Sequence, residues 1–166
     1  KDGAVLCIDP EFPAVIYPSR AVGAICQHEP YGPLYAVSAY FVCGIGFKGI
    51  NAIIAGSILQ RVKMRPLPFI IGLDANMTAE ELEASGWLEQ LQAVLFKTSD
   101  ADPSFVSGDT NSNIDFIIVD KRLAQEPRCV KLIHGAGITK HKPVVAVLNT
   151  VTKATKLVKV KPKRLP

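Results

Sequence analysis

Apolar residues fall along this chain in runs of two kinds. Residues 3–8, 21–27 and 69–73 are short, nearly unbroken apolar runs bounded by proline or polar turns, and each predicts a buried strand. Residues 34–41 alternate, with Leu34, Ala36, Ser38 and Tyr40 on one face and Tyr35, Val37, Ala39 and Phe41 on the other. Apolar side chains on both faces predict a strand covered from both sides. Over residues 49–64 the period changes: Ile50, Ile53, Ile54, Ile58, Leu59 and Val62 follow helical spacing, and Pro66 and Pro68 forbid continuation. Thr78 with Glu81 predicts a capping box for a short helix over 78–84, ended by Gly86. Trp87, Leu88, Leu91 and Val94 form the next apolar stripe. Residues 100–111 read as a polar loop, 114–119 and 128–134 as strands, 135–142 as a loop carrying His141, and 143–148 as the last strand.

Strands and helices alternate only loosely in this order, and several strands follow one another directly, which predicts an α+β fold rather than a doubly wound one. Composition agrees: 48% hydrophobic and 20% charged residues suffice for a core, and 12 Gly with 12 Pro among 166 residues disfavour a helical bundle. No internal repeat is visible, and no glycine-rich phosphate loop follows any strand. The net charge of +4 is unevenly placed. Residues 150–166 hold six basic side chains and no acid, leaving 13 basic against 15 acidic residues in 1–149. The body is therefore not a cationic nucleic-acid binder. The chain divides into a domain over 1–148 and a basic linker or tail over 149–166.

Cys7, Cys26, Cys43 and Cys129 lie far apart, with no CxxC pair and no zinc-site spacing. Their apolar neighbours predict buried free thiols in a reducing compartment. The uncharged stretch 30–47 is broken by Gly32, Pro33, Gly44 and Gly46, which reads as strand and turns, not a lipid-facing helix. No signal-peptide pattern opens the chain, so an intracellular location, cytoplasmic or nuclear, without membrane insertion is expected.

Chemistry concentrates where the apolar strands run out. Asp74 and Asn76 stand two apart after the run Phe69-Ile70-Ile71-Gly72-Leu73, a carboxylate that can align water and an amide that can donate to a phosphate oxygen. Alone, they read first as a turn leading into the helix at Thr78. Asp115 opens the strand Phe116-Ile117-Ile118-Val119, where apolar neighbours demand a hydrogen-bonded partner for it. His141 precedes the final strand in Thr139-Lys140-His141-Lys142-Pro143-Val144. Alone it reads as a surface-loop histidine. A carboxylate supporting a histidine is also a recurrent catalytic device.

Together and in this order, these groups resemble the endonuclease/exonuclease/phosphatase superfamily, the DNase I-like proteins, which include the endonuclease domains of non-LTR retrotransposons. Gly72-Leu73-Asp74-Ala75-Asn76 resembles its GDFN motif, Ser112-Asn113-Ile114-Asp115-Phe116 its SRIDY motif, and residues 139–144 its SDHxPV motif. The strand ending in Tyr40, separated from Asp74 by a helix, resembles the family's tyrosine-bearing strand. The resemblance implies a four-layer α/β/β/α sandwich of two packed sheets, incomplete at its N-terminus. It implies that Asp74 aligns the attacking water, Asn76 and Tyr40 contact the phosphate, and His141 stabilises the transition state with Asp115 orienting its ring. It also implies a divalent metal, Mg2+ or Mn2+, and as substrate DNA or another phosphate ester.

Three departures from the family pattern bear on activity. No region of 1–33 resembles the family's Asn-bearing strand or its metal-binding Glu, and Glu11 and Glu29 lie in proline-flanked loops. Lys140 stands where an Asp precedes the histidine, and Asn113 where the family has Arg. A lysine cannot ligate a hard cation and repels one. The expectation is a metal-dependent phosphodiesterase-like domain, in type a retroelement DNA endonuclease, impaired in this chain. The alternative is an inactive relative serving as a structural or binding module.

Overall fold

The computed structural model describes residues 5–7, 14–28, 32–99, 101–124, 128–136 and 140–148. Glu11, Glu29, Thr139 and the basic segment 149–166 lie outside them. The core is a seven-stranded sheet. Its strands are β1 (Val5–Cys7), β2 (Val15–Tyr17), β3 (Ala21–His28), β4 (Gly32–Tyr40), β5 (Phe69–Asp74), β6 (Ala93–Phe96) and, later in the chain, β9 (Asp115–Asp120). They run β1-β3-β4-β5-β9-β6, with β2 also paired to β3. Among the described strands only β4 and β5 are parallel neighbours, and the crossover that parallel pairing requires is α1 (Gly49–Met64).

Period-two alternation sorts the side chains of the central strands. Tyr35, Val37 and Ala39 of β4, Phe69, Ile71 and Leu73 of β5, and Phe116 and Ile118 of β9 form one apolar layer. Ile54, Ala55, Ile58 and Val62 of α1 pack on it, with Trp87, Leu88 and Leu91 of the short helix α3 (Trp87–Leu91). The opposite face carries Leu34, Ile70, Val94, Phe96, Ile117 and Val119. It is covered by Val130, Ala146 and Leu148 of a two-stranded antiparallel sheet, β10 (Arg128–Leu132) with β11 (Val144–Leu148). Helices lie outside one face of the large sheet and β10–β11 packs on the other as a second sheet; among the described residues no helix covers the outer side of β10–β11, so three of the four expected layers are seen.

Local chemistry accounts for the element ends. Thr78 and Glu81 form the capping box of α2 (Ala79–Ala84), each side chain bonded to the other's backbone N–H. Gln92, at φ 55°, ends α3 after five residues. The stripe through Val94 is therefore not one helix: Val94 belongs to β6. The stretch 100–111 is also more structured than a polar loop. It contains β7 (Phe105–Ser107) and the start of β8 (Thr110–Ser112), a hairpin turned at Gly108 with φ 59°. β4 is covered from both sides only at Leu34 and Tyr35; Ser38 and Tyr40 are exposed. Of the two cysteines whose side chains are described, Cys26 is half-buried and Cys43 is exposed, so burial of all four thiols does not hold.

Candidate active site

The parity that fills the core also builds the site. Counting by two from Leu34 leads to Tyr40, from Ile70 to Asp74, and from Val119 back to Asp115, so all three polar side chains occupy the face opposite the helices. Register makes them neighbours. Tyr40 is paired with Asp74 across β4–β5, and Asp74 with Asp115 across β5–β9. His141 arrives from the loop before β11, held by an isolated bridge to Phe105 and by the Phe105 ring, edge-on at 4.9 Å. Tyr40, Asp74, Asp115 and His141 line one open cleft of about 720 Å³.

His141 Nδ1 lies 3.2 and 3.1 Å from the two carboxylate oxygens of Asp115. An ionised carboxylate only accepts, so Nδ1 carries the hydrogen and Nε2 is left for other work. Asp115 Oδ2 also accepts from the Ser104 hydroxyl at 2.9 Å. Asp74 differs: its Oδ1 is buried without a hydrogen-bond partner. Burial, then the nearby Asp115 charge, raise the Asp74 pKa above the ordinary aspartate value; His141 and the backbone N–H of Asn76 offset part of the rise. Ligand atoms of Asp74, Asp115 and His141 all lie within 4.8 Å of one another. Two adjacent carboxylates, one with an unsatisfied oxygen, are donors suited to a hard divalent cation. Asp74 and Asp115 would hold it, and it would supply neutralising charge.

Asn76 does not join this group. Its backbone is left-handed at φ 48°, a conformation asparagine tolerates, and its amide donates to the Phe41 carbonyl at 2.9 Å instead of lining the cleft. Lys140 is exposed, at φ 72°, and its carbonyl accepts from Val106. The charged neighbour that lines the cleft is Lys142, whose ammonium bonds Asp102 at 2.9 Å. The cation repulsion expected of Lys140 therefore has no place in the cleft lining.

Three further residues serve the cleft or its support with little local signal in the sequence. Arg20, at the turn before β3, lines the cleft with its guanidinium 4.7 Å above the Tyr40 ring. Ser104 sits inside what reads as a polar loop, and Asn51 inside a helix. No local pattern distinguishes Ser104 or Asn51; Arg20 carried only the weak signal of a basic residue at a strand start.

No profile of a known protein family and no curated protein sequence matches the chain. Solved structures do. The endonuclease domain of TRAS1, a telomere-specific non-LTR retrotransposon, is similar at TM-score 0.65 and 19% identity, over 86% of this chain and 66% of that one. Humanized TDP2 of D. rerio is similar at TM-score 0.59 and 12% identity, over 89% and 68%. An endonuclease/exonuclease/phosphatase from Bacteroides vulgatus is similar at TM-score 0.52 and 21% identity, over 78% and 54%. The chain has the DNase I-like fold of the endonuclease/exonuclease/phosphatase superfamily. It spans between 54% and 68% of the lengths of these three structures. Among the described residues no helix is long and apolar enough to cross a membrane.

Proposed function

We propose that this chain carries the hydrolytic site of a metal-assisted phosphodiesterase, working slowly as it stands, with DNA as substrate. The observation that carries the reading is the Asp115–His141 pair beside Asp74, whose Oδ1 has no partner, in one open cleft. Asp74 aligns the attacking water and takes up its proton, a task that its raised pKa favours. His141 presents Nε2 to the phosphoryl oxygens, where charge develops, and Asp115 holds the ring in the required tautomer. The Tyr40 hydroxyl is a further donor on the rim, and Arg20 contributes positive charge beside it. A divalent cation, magnesium or manganese, would neutralise the phosphate.

The low rate has a physical reason. Both oxygens of Asp115 already accept hydrogen bonds, from His141 and from Ser104, so it is a weakened partner to Asp74 in holding the cation. Asp74 must then carry most of that task while it also serves the water. DNA is favoured over other phosphate esters by likeness to the TRAS1 endonuclease domain and to TDP2. The segment 149–166 would serve as a basic linker that adds phosphate contacts.

The test is cleavage of supercoiled plasmid with magnesium or manganese, beside Asp74→Ala and His141→Ala. Slow nicking by the chain is expected, falling by about 100-fold or to background in both variants. Equal nicking by all three proteins would overturn the reading in favour of the inactive binding module.

A further inference from the structure

Ser104 is wholly buried, at 0% exposure, yet it is polar and lies in a short connecting segment. Its hydrogen bonds converge on the two halves of the carboxylate–imidazole pair. The hydroxyl lies 2.9 Å from Asp115 Oδ2, 3.3 Å from the Ile114 N–H and 3.2 Å from the Asp115 N–H. Two of these three partners are donors, so the single hydroxyl hydrogen has one destination, the Asp115 carboxylate. On its backbone, the Ser104 carbonyl accepts from the Lys142 N–H at 2.7 Å, one residue beyond His141. One residue therefore grips Asp115 by its side chain and the His141 strand entry by its main chain.

Ser104 is itself anchored from behind. Asn113 Oδ1 accepts from the Ser104 N–H at 3.0 Å and from the Thr98 hydroxyl at 2.7 Å. With two donors facing it, that atom must be the amide oxygen, which fixes the orientation of the side chain. Asn113 Nδ2 then reaches the Ser99 carbonyl at 3.3 Å. The result is a relay from Thr98 through Asn113 and Ser104 to Asp115 and His141, buried at its first and third members. A carboxylate held on one oxygen by a charge-assisted bond, with its own N–H on the same hydroxyl, cannot turn freely about its side chain.

We infer that Ser104, anchored by Asn113, is the positioning residue that fixes the Asp115 carboxylate and so selects the His141 ring tautomer with Nε2 free. This rests on the phosphodiesterase reading for its catalytic consequence, though not for its structural one. Asn113, in the place where the resemblance leads one to expect an arginine, has its own task as an anchor.

The experiment is a long-range proton–nitrogen correlation spectrum of the 15N-histidine-labelled chain at alkaline pH without added metal, read at His141, with plasmid-cleavage kinetics in parallel. The wild-type chain should show the hydrogen on Nδ1. In Ser104→Ala the Nε2–H tautomer should become the major form, while Ser104→Thr, which keeps the hydroxyl, retains the wild-type pattern. Asn113→Ala should shift the tautomer in the same direction, whereas Asn113→Asp, which keeps the acceptor oxygen facing Ser104 and Thr98, should not. In cleavage, Ser104→Ala should lose kcat on the order of tenfold with KM unchanged, the scale typical of a lost outer hydrogen-bond partner. An unchanged His141 tautomer in a folded Ser104→Ala chain overturns the inference. If that variant does not fold, Ser104→Cys, a similar volume with a weak donor, is read the same way. The two readings separate cleanly. Absence of cleavage by any chain leaves the tautomer result to decide this one. Cleavage abolished in Asp74→Ala but untouched in Ser104→Ala, with the tautomer retained, removes this inference alone.

Discussion

Asp74 is held where a carboxylate is least comfortable: half-buried, beside Asp115, with Oδ1 unpaired. Its pKa in the folded chain lies above the ordinary 3.8. Between those two values the folded state retains a proton that the unfolded state has lost, so stability falls as pH rises through that window. Below about pH 3.8 both states are protonated and the penalty vanishes. Asp74→Asn should therefore raise Tm at neutral pH, and the gain should fade as pH falls toward 3.8. Added magnesium or manganese should raise Tm of the wild-type chain more than that of the variant. Thermal melts across pH, with and without metal, check both; a Tm gain that persists unchanged at the acid end would mean that Asp74 carries no ionisation penalty.

At the scale of elements, the segment between β4 and α1 is built by one residue of the helix. Asn51 is fully buried and makes three hydrogen bonds: Oδ1 accepts from the Val42 N–H at 2.7 Å, and Nδ2 donates to the Val42 and Gly46 carbonyls at 2.9 and 2.8 Å. The pinned loop begins at Phe41, which packs on Phe47 and Trp87 and receives the Asn76 amide on its carbonyl. Asn51 and Asn76 thus hold the ends of β4 and β5, where Tyr40 and Asp74 stand, without entering the cleft. Asn51→Ala would leave these backbone groups unsatisfied in a buried place, a cost on the order of 3 kcal/mol. Chemical denaturation should show that loss, and cleavage should weaken with it because the Tyr40 strand end loosens. A loss below about 0.5 kcal/mol would mean that water replaces the amide at no cost. Close packing works on the neighbouring strand too. A Cβ on Gly23 would sit 2.2 Å from the hydroxyl oxygen of buried Tyr35, so this position in β3 has room for glycine alone.

On the scale of the whole molecule, the sheet separates two jobs. The helices seal one face with the larger apolar cluster, while the opposite face is shared between the β10–β11 hairpin and the cleft. His141 belongs to the segment that enters β11, so the hairpin's docking sets the position of a site residue. Ala146 is on the docked face of β11 and packs with the cluster around Val119. Ala146→Asp would force a carboxylate into that layer, and the hairpin should detach rather than bury it. Amide hydrogen exchange should then rise across β10, β11 and His141 while β4 and β5, packed on α1, remain protected. Uniform loss of protection would show instead that hairpin and helix layer unfold as one unit.

Where a residue's neighbours along the chain carry the information, the sequence alone determined the structure. The helix over 49–64, the strand ending at Asp74, the capping box at Thr78 and the α+β class all follow from period, proline and cap chemistry. Alternation in β4, β5 and β9 even assigns Tyr40, Asp74 and Asp115 to one face. That these faces meet depends on register between strands far apart in sequence, which the order of the family-like motifs suggested and alternation could not. Short strands were lost for a related reason. Neither β6 nor the β7–β8 hairpin has enough residues to show a period, and both exist through partners elsewhere: β9 pairs with β6, and the His141 segment meets β7 at Phe105. Only the tertiary structure turned Asn76 away from the cleft, because a left-handed backbone aims its amide at Phe41. Only it made Ser104 a hub, because a serine becomes one when distant donors and acceptors are folded around it. Periodicity is a property of one strand or helix; a site is a property of contacts between them.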